Sequence, residues 1–158
     1  MNKPWIAALA GALVSLSALA EQPASLEISD AWVRALPPTQ PTTAAYMTLV
    51  NRGETPLQIA GANADIAQSV EIHTTREIDG YMRMEQLPGL SLAPGQSEQL
   101  APGGTHLMLL ELSHMPIPGE TVRLCLELAA GGQVCTDAGV RKGGAGKQGH
   151  EHHQHHQK

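Results

Sequence analysis

Residues 73–84 read HTTREIDGYMRM, with Asp79-Gly80 at the centre. That dipeptide is a two-residue hairpin signal, because a type I′ turn needs positive φ at both central positions and Asp and Gly tolerate it. The turn predicts a register of Ile78 with Tyr81, Glu77 with Met82, Thr75 with Met84 and His73 with Gln86. Opposed residues share a face, so His73, Met82 and Met84 point the same way, and His73 and Met84 become diagonal neighbours roughly 7–8 Å apart at the backbone. Further on, residues 105–112 read THLMLLEL. Side-chain direction repeats every second residue of a strand, so His106 and Met108 also share a face.

Working outward, the remaining signals are short apolar or alternating runs at 26–34, 44–51, 57–61, 68–74, 81–86, 105–112, 121–128 and 133–138. LPPTQP, NRGETP, LPG, APGQ, APGG and PIPGE separate them, where Pro fixes φ and Gly supplies positive φ. No segment carries a 3.6-residue apolar period, so the chain is predicted to be an all-β sandwich or barrel. Past Val140 the composition changes to RKGGAGKQG, a flexible linker, and then HEHHQHHQK, a His-rich tail that cannot bury anything.

The first 20 residues have Lys3 in a short n-region, an apolar stretch to about Leu19, and small residues before a cut ahead of Glu21. This is the pattern of a cleaved secretory signal peptide, with an apolar run short of the roughly 20 residues a membrane span needs. The expected organisation is a signal peptide at 1–20, one folded domain at 21–140 and a tail at 141–158. A periplasmic location without stable membrane insertion follows. The formal charge of −5 is interspersed and aromatics make up 3% of the chain, which disfavours a nucleic-acid surface.

In an oxidising compartment cysteines are read as disulfides first. A loop of Ala129-Ala130-Gly131, with Gly131 left-handed, pairs Leu128 with Gly132 and sets Cys125 opposite Cys135. Opposed antiparallel residues are about 4.5–5.5 Å apart, inside the disulfide range.

Two imidazoles and two thioethers, each pair aligned by its own strand geometry, make a soft donor set. It suits Cu(I), with Zn second, and is poor for Ca or Mg. Spacing alone leaves two readings open: a metal site, or a Met that fills the core and a His at the surface. A blue-copper electron carrier needs a Cys thiolate with a His and usually a Met just downstream. The stretch after Cys135, TDAGVRKGG, has neither. No nucleophile elbow, phosphate loop or HExxH is present, so no enzyme is expected. In the tail, His150, His152, His153, His155 and His156 form an imidazole cluster that suits Cu(II), and Zn or Ni less tightly.

The pattern His73, ten residues, Met84, twenty-one residues, His106, one residue, Met108 resembles the signature of the PCu(A)C family of periplasmic copper chaperones. AWVRALPPT, TAAYMTLVNRGETPL, GYMRM and LAPGGTHLMLLEL are similar to that family as well, so the resemblance covers about residues 26–140. It implies a cupredoxin-like Greek-key β-sandwich and Cu(I) held by His73, Met84, His106 and Met108. It also implies delivery to the CuA centre of cytochrome c oxidase, alongside Sco-type thiol proteins. Many members carry a Met after the first His, whereas here Thr74 follows it. A copper or zinc buffer without a dedicated acceptor needs the same ligands and is the alternative.

Overall fold

The structure is a computed structural model that describes residues 25–143. The signal peptide and the tail histidines lie outside the described residues. Ten strands follow in order: β1 (Leu26–Arg34), β2 (Thr43–Asn51), β3 (Leu57–Ala64), β4 (Ala67–Ile78), β5 (Tyr81–Leu87), β6 (Leu90–Leu92), β7 (Ser97–Leu100), β8 (His106–Leu112), β9 (Thr121–Leu128) and β10 (Gln133–Arg141). No helix occurs among the described residues. The ladder runs β5-β4-β8-β2-β1-β10-β9-β3-β6, β7 adds to β2, and a β3–β4 bridge at Ala62 and Val70 closes it on itself. All pairings are antiparallel except β1 with β10. The crossovers β4–β8, β8–β2 and β3–β9 make this a Greek-key, cupredoxin-like sandwich.

Period-two alternation sorts the side chains. On β8, Leu107 and Leu109 turn inward and are fully buried, while His106 and Met108 take the other face. On β4, Ile72 and Thr74 turn inward, and Glu71, His73 and Thr75 outward. The inner residues join Val33, Ala45, Met47, Leu49, Ile59, Leu124 and Leu126 in one core. Truncating Leu107 or Leu109 to Ala would cost about 2–5 kcal/mol and loosen the strand that carries His106 and Met108. Thr74, the residue after His73, is buried on this inner face and accepts a hydrogen bond from the Thr105 hydroxyl at 3.3 Å.

Both turns read from sequence set their registers. Asp79 and Gly80 have φ of 53° and 79°, and β4 and β5 pair as Ile78–Tyr81, Glu77–Met82, Thr75–Met84 and His73–Gln86. Gly131 and Gly132 have φ of 100° and 80°, and the Leu128 N–H donates to the Gly132 carbonyl at 3.0 Å. Cys125 and Cys135 face each other with Cα atoms 4.0 Å apart and are disulfide-bonded. Sequence patterning missed β6 and β7, which are too short to show alternation, and stopped the β4 candidate at residue 74, because Thr75–Ile78 is mostly polar. β10 continues to Arg141, one residue past the expected domain end.

Candidate metal centre

The pairing of β4 with β8 sets His73 directly opposite His106, and their ring centroids are 6.1 Å apart at 46°. It also sets Glu71 opposite Met108, while β2 places Ala44 on the other side of Met108. β5 brings in Met84, opposite Thr75 and diagonal to His73. His73, Met84, His106 and Met108 therefore stand on one outer sheet face, spread over three adjacent strands. The two His-Met pairs, separate in sequence, are joined by the β4–β8 ladder.

The hydrogen bonds of the two rings decide which nitrogens remain free. His106 is 5% exposed, and its Nδ1 lies 2.9 Å from the Gly104 carbonyl. A carbonyl only accepts, so Nδ1 carries the proton and Nε2 keeps its lone pair. His73 Nε2 lies 2.7 Å from Glu71 Oε2, which in its ionised form also only accepts. In the neutral His73 ring the lone pair then falls on Nδ1. That atom is buried and has no hydrogen-bond partner, an arrangement that costs about 1–3 kcal/mol unless something electrophilic occupies it. A metal-ligating His characteristically gives its other N–H to a carboxylate or a backbone carbonyl, and both forms occur here.

Met84, His106 and Met108 line one pocket of about 250 Å³ together with Arg34, Ala44 and Tyr46. His73 is not among the lining residues and stands opposite His106 on the neighbouring strand. Met84 is 54% exposed and forms the solvent side of the pocket, whereas Met108 is half-buried against an aromatic cluster of Trp32 and Tyr46. Met82 shares the face but lies farther out on the hairpin, opposite Glu77, and is not part of the pocket lining. His114 is exposed and Met115 buried, so that adjacent pair does not make a site.

Trp32 and Tyr46 stack with centroids 4.5 Å apart, and Tyr46 lies 6.2 Å from His106. Burial pushes the Tyr46 phenol above its ordinary value, against the opposing pull of the Arg34 guanidinium 5.3 Å over its ring. Sequence reasoning did not find Glu71, the Gly104 carbonyl, Trp32, Tyr46 or Arg34. Glu71 was within reach, since it is one strand period before His73. The others depend on pairings between distant segments.

Among the described residues no three His, Cys, Asp or Glu side chains converge on a point. The methionines are the other donors on this face, and two neutral imidazoles with two thioethers suit a soft late transition ion. Both cysteines of the chain are in the disulfide, so neither is free to serve as a thiolate ligand. No helix among the described residues is long and apolar enough to cross a membrane.

The all-β fold is shared with solved PCuAC domains. The copper-bound PCuAC domain of PmoF2 superposes with a TM-score of 0.62 at 25% identity, covering 75% of this chain and 93% of that one. Copper(I)-bound DR1885 of Deinococcus radiodurans gives 0.60 at 34% identity, covering 78% and 83%. In sequence, the "Putative lipoprotein Lxx21020" of Leifsonia xyli subsp. xyli is 30% identical over 128 residues, 78% of this chain and 76% of that protein. Residues 26–140 match the family described as "Putative lipoprotein LpqE-like", and the chain belongs to that family.

Proposed function

We propose that this protein is an extracytoplasmic copper chaperone that binds one Cu(I) through His73, Met84, His106 and Met108. The observation that carries this reading is the pair of rings whose second nitrogens are engaged by Glu71 and the Gly104 carbonyl, leaving Nδ1 of His73 and Nε2 of His106 for a metal beside two thioethers. The names of the structural neighbours, copper-bound PmoF2 domain and copper(I)-bound DR1885, support copper as the cargo. Met84, the most exposed of the four, is the first ligand an acceptor would meet. The acceptor in this reading is the CuA subunit of cytochrome c oxidase, with Sco-type proteins as transfer partners. Transfer of Cu(I) from the loaded chain to a purified CuA domain tests it. Retention of the metal against that domain would leave the alternative, a copper or zinc buffer.

The tail extends the proposal. His150, His152, His153, His155 and His156 would capture Cu(II), holding it near the core site at an effective concentration that short tethers raise to about millimolar. A one-electron external reductant would then allow the ion to move inward as Cu(I). Truncation after Arg141 should abolish most Cu(II) binding and leave Cu(I) binding intact.

The family and relative descriptions name lipoproteins. These descriptions support an envelope location, and the periplasm is the compartment of this reading. It acts as a carrier, with no catalytic role.

A further inference from the structure

The pocket that holds three candidate metal ligands also holds a cation without a counter-charge among the described residues. Arg34 follows Trp32 on the outer face of β1, and the parallel pairing of β1 with β10 sets Arg141 beside it. Arg141 stacks over Trp32 at 4.2 Å and Arg34 over Tyr46 at 5.3 Å. None of the ion pairs among the described residues engages either guanidinium. Arg34 Nε is buried and has no hydrogen-bond partner among the described residues. Gly143 is seated against it, so close that a Cβ there would lie 3.4 Å from Nε.

Two like charges side by side on neighbouring strands repel, and a buried guanidinium nitrogen without an acceptor costs free energy. Cation–π contacts offset part of that cost and hold the planar groups in place, but they supply no acceptor. Asp30, the acid that lines the cavity on the far side of Arg141, forms no ion pair with it. Arg34 lines the same pocket as Ala44, Met108 and His106, and Ala44 pairs with Met108 on the next strand. One strand spacing, roughly 4.8 Å, separates Ala44 from each neighbour. A group bound on Arg34 over Ala44 would thus reach the edge of the candidate metal site.

We propose that Arg34, reinforced by Arg141, is an anion site that receives a carboxylate in the Ala44 pocket, directly beside Met108 and His106. The planar guanidinium fork matches a carboxylate, which it can bind through two parallel hydrogen bonds. The carboxylate would come from a small organic acid that carries metal or from an acidic side chain of a protein that exchanges metal with this one. Its consequence for metal exchange rests on the copper reading above. The binding itself does not, and it is measurable on the metal-free chain.

The experiment follows the Arg34 Nε–H and the Met84 and Met108 methyl signals of the full metal-free chain by NMR. Acetate, citrate, and a capped peptide with one Glu are added, with the Gln form of the peptide as the uncharged control. The site predicts saturable shifts of all three signals with acetate or citrate, and affinity weakened about tenfold or more in Arg34→Gln, since a charge-assisted hydrogen bond is worth about 1.5–3 kcal/mol. Arg34→Lys should recover charge but only part of the affinity, because the fork is lost. Arg123→Gln, on the β9–β10 surface, is the control and should bind as the parent does. Saturation by the Glu peptide and not the Gln form assigns the carboxylate to a protein source, and binding of the small acids alone assigns it to a free acid. Absence of saturable shifts with every carboxylate, or equal affinity in Arg34→Gln, overturns the proposal whether or not the chain binds copper.

Discussion

Glu71 holds no place in the four-residue His-Met pattern, yet at the proposed site Cu(I) affinity should depend on it. Its carboxylate accepts from His73 Nε2 at 2.7 Å, which places the ring's lone pair on the buried Nδ1 and fixes the ring plane. Glu71→Ala removes that acceptor. Nε2 and Nδ1 tautomers then interconvert, and the ring gains freedom that metal binding must remove. A charge-assisted hydrogen bond contributes about 1.5–3 kcal/mol. The two side chains are 32% and 17% exposed, so water replaces part of the lost contact, and the lower end applies. The expected loss is about tenfold in Cu(I) affinity, at the bottom of the 10–100-fold range for residues that support a metal-bound His. Glu71→Gln keeps an acceptor oxygen and should recover most of the loss. Competition against a chromophoric Cu(I) chelator under anaerobic conditions measures this, with denaturant unfolding of the metal-free variants showing that the fold is intact. An affinity for Glu71→Ala equal to or above that of the parent would refute the argument, because His73 would then owe neither its orientation nor its free nitrogen to Glu71.

The Cys125–Cys135 bridge closes a short loop, so Cys125→Ala/Cys135→Ala should lose about 3 kcal/mol of stability on the chain-entropy account. The exported parent should have an intact mass two hydrogens below the reduced form, and two titratable thiols would contradict this. Gly80→Ala adds a Cβ at φ 79° with no steric neighbour within 4 Å, so its cost is the backbone penalty alone, about 1–2 kcal/mol. The urea midpoint should fall with the slope unchanged. Tyr46 is an acid whose folded-state value is raised, so the folded chain keeps the proton longer than the unfolded chain does. Its contribution is complete below the unfolded value of about 10 and is lost as pH rises above it, and Tyr46→Phe should flatten that alkaline decline in stability.

What was legible in the sequence was what local chemistry decides. Asp79-Gly80 and Gly131 dictate left-handed backbone, and with them the registers that align Met84 with Thr75 and Cys125 with Cys135. The face shared by His106 and Met108 followed from the strand period alone. The β4–β8 pairing that joins the two halves of the site was not legible from turn chemistry, because no short turn connects His73 to His106. It came into view only through resemblance to a family. Arg34, Trp32 and Tyr46 were hidden for the same reason: their neighbours come from β10, β2 and β8, and stacking of this kind leaves no periodic trace. Glu71 could have been read, since residue i−2 on a strand shares the face of a ligating His and a carboxylate there is a natural partner for its second nitrogen.

The central claim is a soft site built from both His-Met pairs. Its most direct test is anaerobic Cu(I) titration with X-ray absorption on the domain ending at Arg141, compared with Met84→Leu and Met108→Leu. These substitutions nearly conserve volume and should cost under about 1.5 kcal/mol of stability each. The account predicts one Cu(I) with mixed nitrogen and sulfur ligation in the parent. In each variant it predicts weaker binding and the loss of one sulfur scatterer. A parent spectrum without sulfur, or unchanged Cu(I) affinity in both variants, would contradict it.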